Sequence, residues 1–228
     1  MDSAYVVFIC IKMKILKDWV IITVPRVGSH YLQERIFVHT DKILVLKYHE
    51  PVVQTWGYAN PGLLGEVNRY WSGLDTDNLK VITIARQPKD LIVSDIAMAI
   101  NRQLNTKEPK LRETYLELYR YEINSERLQG RVDKYANDYL QLEGMSSIII
   151  DYEDLISSPY EVTCDIADRM GLEIVTNEYK PVGLDKNKFL VSSKNIPEYD
   201  VAKDIVSNLD LSKFYESYNK IKSKCIYL

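Results

Sequence analysis

Short apolar runs alternate with amphipathic stretches along these 228 residues, and that alternation predicts an α/β chain. The expected architecture is a three-layer sandwich, a central parallel sheet flanked by helices. Four runs, Val20–Val24, Ile43–Lys47, Val81–Ala85 and Ser147–Ile150, are apolar almost throughout, as strands buried on both faces must be. Two segments, Thr23-Val-Pro-Arg-Val-Gly-Ser-His30 and Arg86-Gln-Pro-Lys-Asp-Leu-Ile-Val-Ser94, each follow such a run and open an amphipathic stretch. Strand-to-helix turns of this kind gather at the carboxyl ends of parallel strands, where such sheets bind ligands.

Taken in order, Ala4–Ile11 is apolar but too short to span a bilayer, and Lys12 and Lys14 close it. It lacks a basic leading region and a small-residue cleavage site, so a first strand or a leader before the strand at Trp19 is expected rather than a signal peptide. A Tyr-rich helical region lies between Pro109 and Glu143, with Leu111, Tyr115, Leu118, then Val132, Tyr135, Ala136 and Tyr139 at helical spacing. The helix after Ile150 has the clearest boundaries. Ser158 is placed to cap it, Pro159 suits its first turn, and Glu161 follows the cap by three. Val162, Ile166 and Met170 share a face, and Gly171 stops the helix. No repeat or low-complexity tract is present.

Length and composition fit one domain over residues 1–228, although two small ones would also fit. The 46% hydrophobic and 27% charged shares are ordinary for a globular enzyme. A net charge of −3 argues against a nucleic-acid or anionic-membrane partner, so any anion site must come from local Arg and Lys. Cys10, Cys164 and Cys225 are odd in number and far apart. That number and spacing argue against a disulfide scaffold and a zinc site, and favour a reducing compartment, the cytoplasm.

In each of the two segments the first helical N–H groups would converge on one spot, which attracts phosphate or sulfate. Gly28 allows close backbone approach, and Arg26 and Arg86 add planar, fixed positive charge. A ligand with two separated anionic groups is implied. The nucleoside-triphosphatase loop does not fit, because Thr23 and Ser29 stand where it needs Gly and Lys.

The order Pro25 to Tyr31 resembles the 5′-phosphosulfate loop of sulfotransferases that use 3′-phosphoadenosine 5′-phosphosulfate. Arg86 and Ser94, eight apart, resemble that family's 3′-phosphate element. Leu46-Lys-Tyr-His-Glu-Pro51 is similar to its Lys-x-His-x-Pro segment, and Ile149-Ile-Asp-Tyr-Glu-Asp-Leu155 to its strand-end Tyr-Glu-Asp near the adenosine. The four matches keep the family's order, from Val20 to about Gly171. The resemblance implies a P-loop-NTPase-like sulfotransferase fold and transfer of a sulfuryl group to a hydroxyl or amine. It assigns the donor to Arg26, Val27, Gly28, Ser29, His30 and Tyr31, with Arg86, Ser94 and Tyr152 at the 3′-phosphate and adenosine. It makes His49 the base, with Arg26 and Lys47 stabilising the leaving oxygen, and calls for no metal. Glu50 is the rival base, since adjacent residues on a straight strand face opposite ways.

Several positions depart from the family. Val27 replaces a Ser, His30 replaces a hydroxyl residue, and Tyr31 stands where relatives stack a Trp on adenine. The late Arg-Lys-Gly element is missing as such; Ser192-Ser-Lys194 and Lys186–Lys188 are its nearest counterparts. A catalytically degenerate nucleotide-binding or protein-interaction module therefore stays open, as does a kinase-like phosphotransferase. Each residue also has a plainer reading: Arg86 paired with Asp90, Ser94 bonded back to its helix, Tyr31 in the core, Glu153 and Asp154 opening the next helix. The acceptor, a small molecule, a sugar or a peptide, would meet Gln54–Trp71 and Asp95–Glu143, where Trp56, Tyr58 and Trp71 fit aromatic surface and core equally well.

Overall fold

The computed structural model describes residues 14–41, 43–48, 78–104, 126–176 and 198–226. Strand β1 (Lys14–Ile22) leads through a loop to helix α1 (Ser29–His39) and strand β2 (Ile43–Tyr48). Strand β3 (Lys80–Ala85), helices α2 (Pro88–Leu104) and α3 (Glu126–Met145) and strand β4 (Ile148–Asp151) follow. Helices α4 (Tyr152–Ser157), α5 (Pro159–Arg169), α6 (Glu198–Val206) and α7 (Ser212–Lys222) complete the described chain.

All four strands are parallel, in the order β2-β1-β3-β4. From β1 the chain moves to β2 on one side, and from β3 to β4 on the other. Right-handed crossovers in opposite directions put α1 on one face and α2 and α3 on the other. The packing agrees, since α1 lies against β2 and α5, while α2 meets α6 and α3 meets α7. This is the flanked parallel sheet that the apolar runs require. Every residue of β4, and every residue of β3 after Lys80, is buried.

All four strands differ from the sequence expectation at a boundary; β2 runs one residue further, to Tyr48, and β3 starts one earlier, at Lys80. β1 begins at Lys14 and ends at Ile22, so Thr23 and Val24 stay buried but leave the sheet. Pairing with β2 stops at Ile22↔Tyr48, and the chain must then turn toward Pro25, which has no N–H for a ladder. β4 runs one residue later than Ser147–Ile150, because its register with β3 ends at Ala85↔Asp151.

Helix α5 has the expected limits, with Pro159 in its first turn and Gly171 at φ +68° just beyond it. Ser158 occupies the cap position, yet its hydroxyl makes no capping bond. The same residue also ends α4, its N–H donating to Asp154 O at 2.9 Å. That double duty holds it at φ −132°, ψ 57°, away from the extended geometry a capping side chain needs.

On α3, Val132, Tyr135, Ala136 and Tyr139 form the buried face, and both tyrosine rings pack against Phe214 of α7. Leu111, Tyr115, Leu118, Ala4–Ile11 and Gln54–Trp71 lie outside the described residues. Among the described residues, no helix is long and apolar enough to cross a membrane, and no three metal-ligating side chains converge.

Candidate functional site

The carboxyl ends of the four strands bring the singled-out segments to one edge. After β1 the loop turns through two left-handed residues, Arg26 at φ 68° and Gly28 at φ 82°. At Gly28 a Cβ would lie 3.4 Å from the Tyr152 ring and 3.5 Å from Leu155, ordinary contact distances, so it is the backbone angle that favours glycine. Arg26 tolerates this geometry at a cost of about 1–2 kcal/mol. What holds it is Arg86, whose Nη1 donates to Arg26 O at 2.6 Å. Helix α1 then starts at Ser29, with no capping side chain and no acid in its first turn. Such a terminus is electropositive.

Arg86 follows β3 and is almost fully buried. Its guanidinium lies 4.3 Å from the centre of the Tyr152 ring, a cation–π contact, and its buried Nε has no hydrogen-bond partner among the described residues. The plainer reading, a surface pair with Asp90, is therefore not what the residue does. Its backbone is clamped as well. Tyr139 Oη accepts from Arg86 N–H at 2.8 Å and donates to Arg86 O at 3.0 Å, so one phenol from α3 fixes the turn between β3 and α2. Burial pushes the Tyr139 hydroxyl well above its ordinary pKa, which keeps it a neutral donor. Sequence reading placed Tyr139 on a buried face but missed this role. The available signal was chemical: a buried tyrosine hydroxyl needs partners.

Ser94, buried on α2, accepts from Arg26 Nε at 3.3 Å rather than only bonding within its helix. Arg26, Arg86 and Ser94 thus meet across 60 to 68 residues of chain. Val27 is wholly buried, and Ser29 nearly so. Tyr31 accepts from Arg35 Nη2 at 2.9 Å, with the Arg35 guanidinium 4.8 Å over its ring. Tyr152 opens α4 and supports both Gly28 and Arg86, while Asp151 caps the helix by accepting from Glu153 N–H at 3.0 Å. Glu153 and Asp154 fall in the first turn of α4, as their structural reading had it.

Lys47 stands near the end of β2, opposite Ile21 of β1, so it reaches the same edge. Its Nζ lies 2.7 Å from His30 Nε2. Burial brings the Lys47 pKa down to about 8, partly opposed by the Glu34 carboxylate. Packing around the His30 ring, then the charges of Lys47 and Arg26, bring its pKa down to about 4. At neutral pH the lysine donates and the imidazole accepts. His49, Glu50, Lys186–Lys188 and Ser192–Lys194 lie outside the described residues.

Taken together, the edge offers two guanidiniums, an ammonium, a buried hydroxyl and a helix N-terminus, a donor set suited to a phosphorylated or sulfated ligand. A family model described as Sulfotransferase domain matches residues 70–200, more than half of the chain. The match includes Arg86, Ser94, Tyr139 and Tyr152, while the loop at Arg26–Tyr31 and Lys47 precede it. None of the curated proteins matches the chain.

Proposed function

The chain belongs to the sulfotransferase domain family, and on that premise we propose that it moves a sulfuryl group from 3′-phosphoadenosine 5′-phosphosulfate to a hydroxyl or amine acceptor. The observation that carries this reading is the meeting of Arg26, Arg86 and Ser94 at the carboxyl edge, beside a helix that starts on Gly28. Two anion-binding elements side by side suit a donor with a 3′-phosphate and a 5′-phosphosulfate. The orphaned Nε of buried Arg86 fits as well, since a buried donor without an acceptor is costly until a ligand supplies one. We take the chain as one domain working in the cytoplasm, on a small-molecule, sugar or peptide acceptor.

In this reading Arg86 and Ser94 hold the 3′-phosphate, with Tyr152 beside the adenosine. The backbone from Val27 to Tyr31, with the Ser29 hydroxyl, holds the 5′ group. Sulfuryl transfer runs through a loose, in-line transition state much like phosphoryl transfer. Negative charge grows on the bridging oxygen as the S–O bond to the nucleotide breaks, and preorganised cations aimed there supply most of the catalysis. Arg26 and Lys47 fill that role. His49 takes the acceptor's proton as the new S–O or S–N bond forms, and adenosine 3′,5′-bisphosphate leaves.

Calorimetric titration with the bisphosphate, with ATP and with ATP plus magnesium tests the donor class. Saturable binding of ATP–magnesium without binding of the bisphosphate overturns the reading in favour of a phosphotransferase. Incubation with labelled phosphosulfate donor and a panel of sugars, phenols and peptides tests turnover. His49→Ala should slow transfer by roughly 10²–10⁴-fold while bisphosphate binding persists. Transfer lost in Glu50→Ala but kept in His49→Ala reassigns the base. Tight bisphosphate binding with no transfer to any acceptor leaves a binding module.

A further inference from the structure

His30 was assigned above for its place in the loop, but its side chain has a contact of its own. We propose that His30 is a positioning residue for Lys47, its imidazole accepting a hydrogen bond from the ammonium and holding that cation at the mouth of the Arg26–Gly28 loop. The inference deepens the sulfotransferase reading and rests on it. His30 is the second residue of α1 and Lys47 the fifth of β2, and the crossover between them brings Nζ within 2.7 Å of Nε2.

At that distance one nitrogen must donate and the other accept, because two protonated groups would point N–H at N–H. The order of proton loss decides which. His30 loses its proton near pH 4 and Lys47 near pH 8, so across neutral pH the pair holds one shared proton, on the lysine. Among the described residues, the charged groups that act on the pair are Arg26 from the loop and Glu34 from α1, and the β1 residue opposite Lys47 is the neutral Ile21. With one N–H engaged by the imidazole, the ammonium keeps two for an anion, in a fixed direction. A lysine without such a partner spreads over many rotamers on its four-carbon stem. Holding the cation where charge will develop is worth more than adding a mobile one.

The pair can be tested in the full, ligand-free chain by carbon NMR titration of Lys47 Cε, with Lys47→Met assigning the signal. The expected midpoint is about 8. His30→Ala should admit water and raise it by about half a unit or more toward the ordinary lysine value. His30→Gln, whose Oε1 can replace Nε2 as acceptor, should return it most of the way. In transfer assays His30→Ala should lower kcat by about tenfold with little change in bisphosphate Kd, and His30→Gln should recover most of the loss. An unmoved midpoint in His30→Ala, or a His30→Gln variant that behaves like His30→Ala, overturns the proposal. The titration needs no ligand, so failure of the unmodified chain to bind bisphosphate would sink the sulfotransferase reading while the Lys47–His30 pairing is judged by the NMR midpoint.

Discussion

Lys47 and Lys222 both reach the carboxyl edge of the sheet, and their partners separate two tasks. Lys222, on α7, places Nζ 2.9 Å from Asp151 Oδ2 at the end of β4. The bond to that carboxylate, with one to Tyr218, raises the lysine's pKa above its ordinary value. Its charge is already neutralised, and it fastens α7 to the strand that leads into Tyr152. Ile226 N–H donates to Ile149 O nearby, and Cys225, its thiol pushed up to about 12 by burial, packs beneath. Lys47 meets a neutral imidazole instead, and burial lowers its pKa. Its charge is oriented without being cancelled. The same side chain is a fastener beside a carboxylate and, in the proposed reading, a cation held for an anion beside a histidine.

The largest expected effect tests the Lys47 half of that contrast. Lys47→Met should lower turnover by roughly 10²–10³-fold, the usual loss when one preorganised donor to a developing oxyanion is removed. Thermal unfolding should change little, and a variant that unfolds instead would make Lys47 another fastener. Arg86 combines both tasks, through its guanidinium and its bond to Arg26 O. Arg86→Ala should weaken bisphosphate binding by about 1.5–3 kcal/mol, roughly 10- to 150-fold, and scarcely affect a nucleotide lacking the 3′-phosphate. Equal losses for both nucleotides in calorimetry would reduce Arg86 to a support for the loop.

Lys222→Met should do the reverse of Lys47→Met. Leaving the buried Asp151 oxygen unpaired should cost about 1–3 kcal/mol in denaturant unfolding, with turnover near normal where the chain is folded. The smallest effect is in pH. Lys47 carries its charge below about pH 8 and loses it above, so bisphosphate affinity should fall as pH rises through that value. Between pH 7.5 and 8.5 the drop should be about threefold, and it should vanish in Lys47→Met. Lys222, whose pKa is raised, should add no step in that range.

Much of this was legible in the order of residues, because strands, turns and helix starts are local. Alternating apolar runs predicted the parallel sheet, and Gly28 marked a turn open to close backbone approach, where the structure has a left-handed φ of 82°. The spacing of Arg86 and Ser94 placed both on the turn and first half of one helix, as found. Strand ends were less legible. Thr23 and Val24 are as apolar in surroundings as the rest of the run, and only the last ladder pair shows where the sheet stops.

The sequence by itself determined which elements form and which strand-to-helix turns carry Gly28, Arg26 and Arg86, since these depend on neighbours a few residues apart. Tertiary structure alone decided who meets whom at the edge. Tyr139 closes on Arg86 from 53 residues away, Arg86 supports the strained carbonyl of Arg26 across 60, and Lys222 reaches Asp151 across the fold. His30 and Lys47 meet because β2 pairs beside β1 in one register, bringing Lys47 opposite Ile21 at the end where α1 begins. Register and crossover direction come from summed packing over the whole sheet, and no single segment carries that sum.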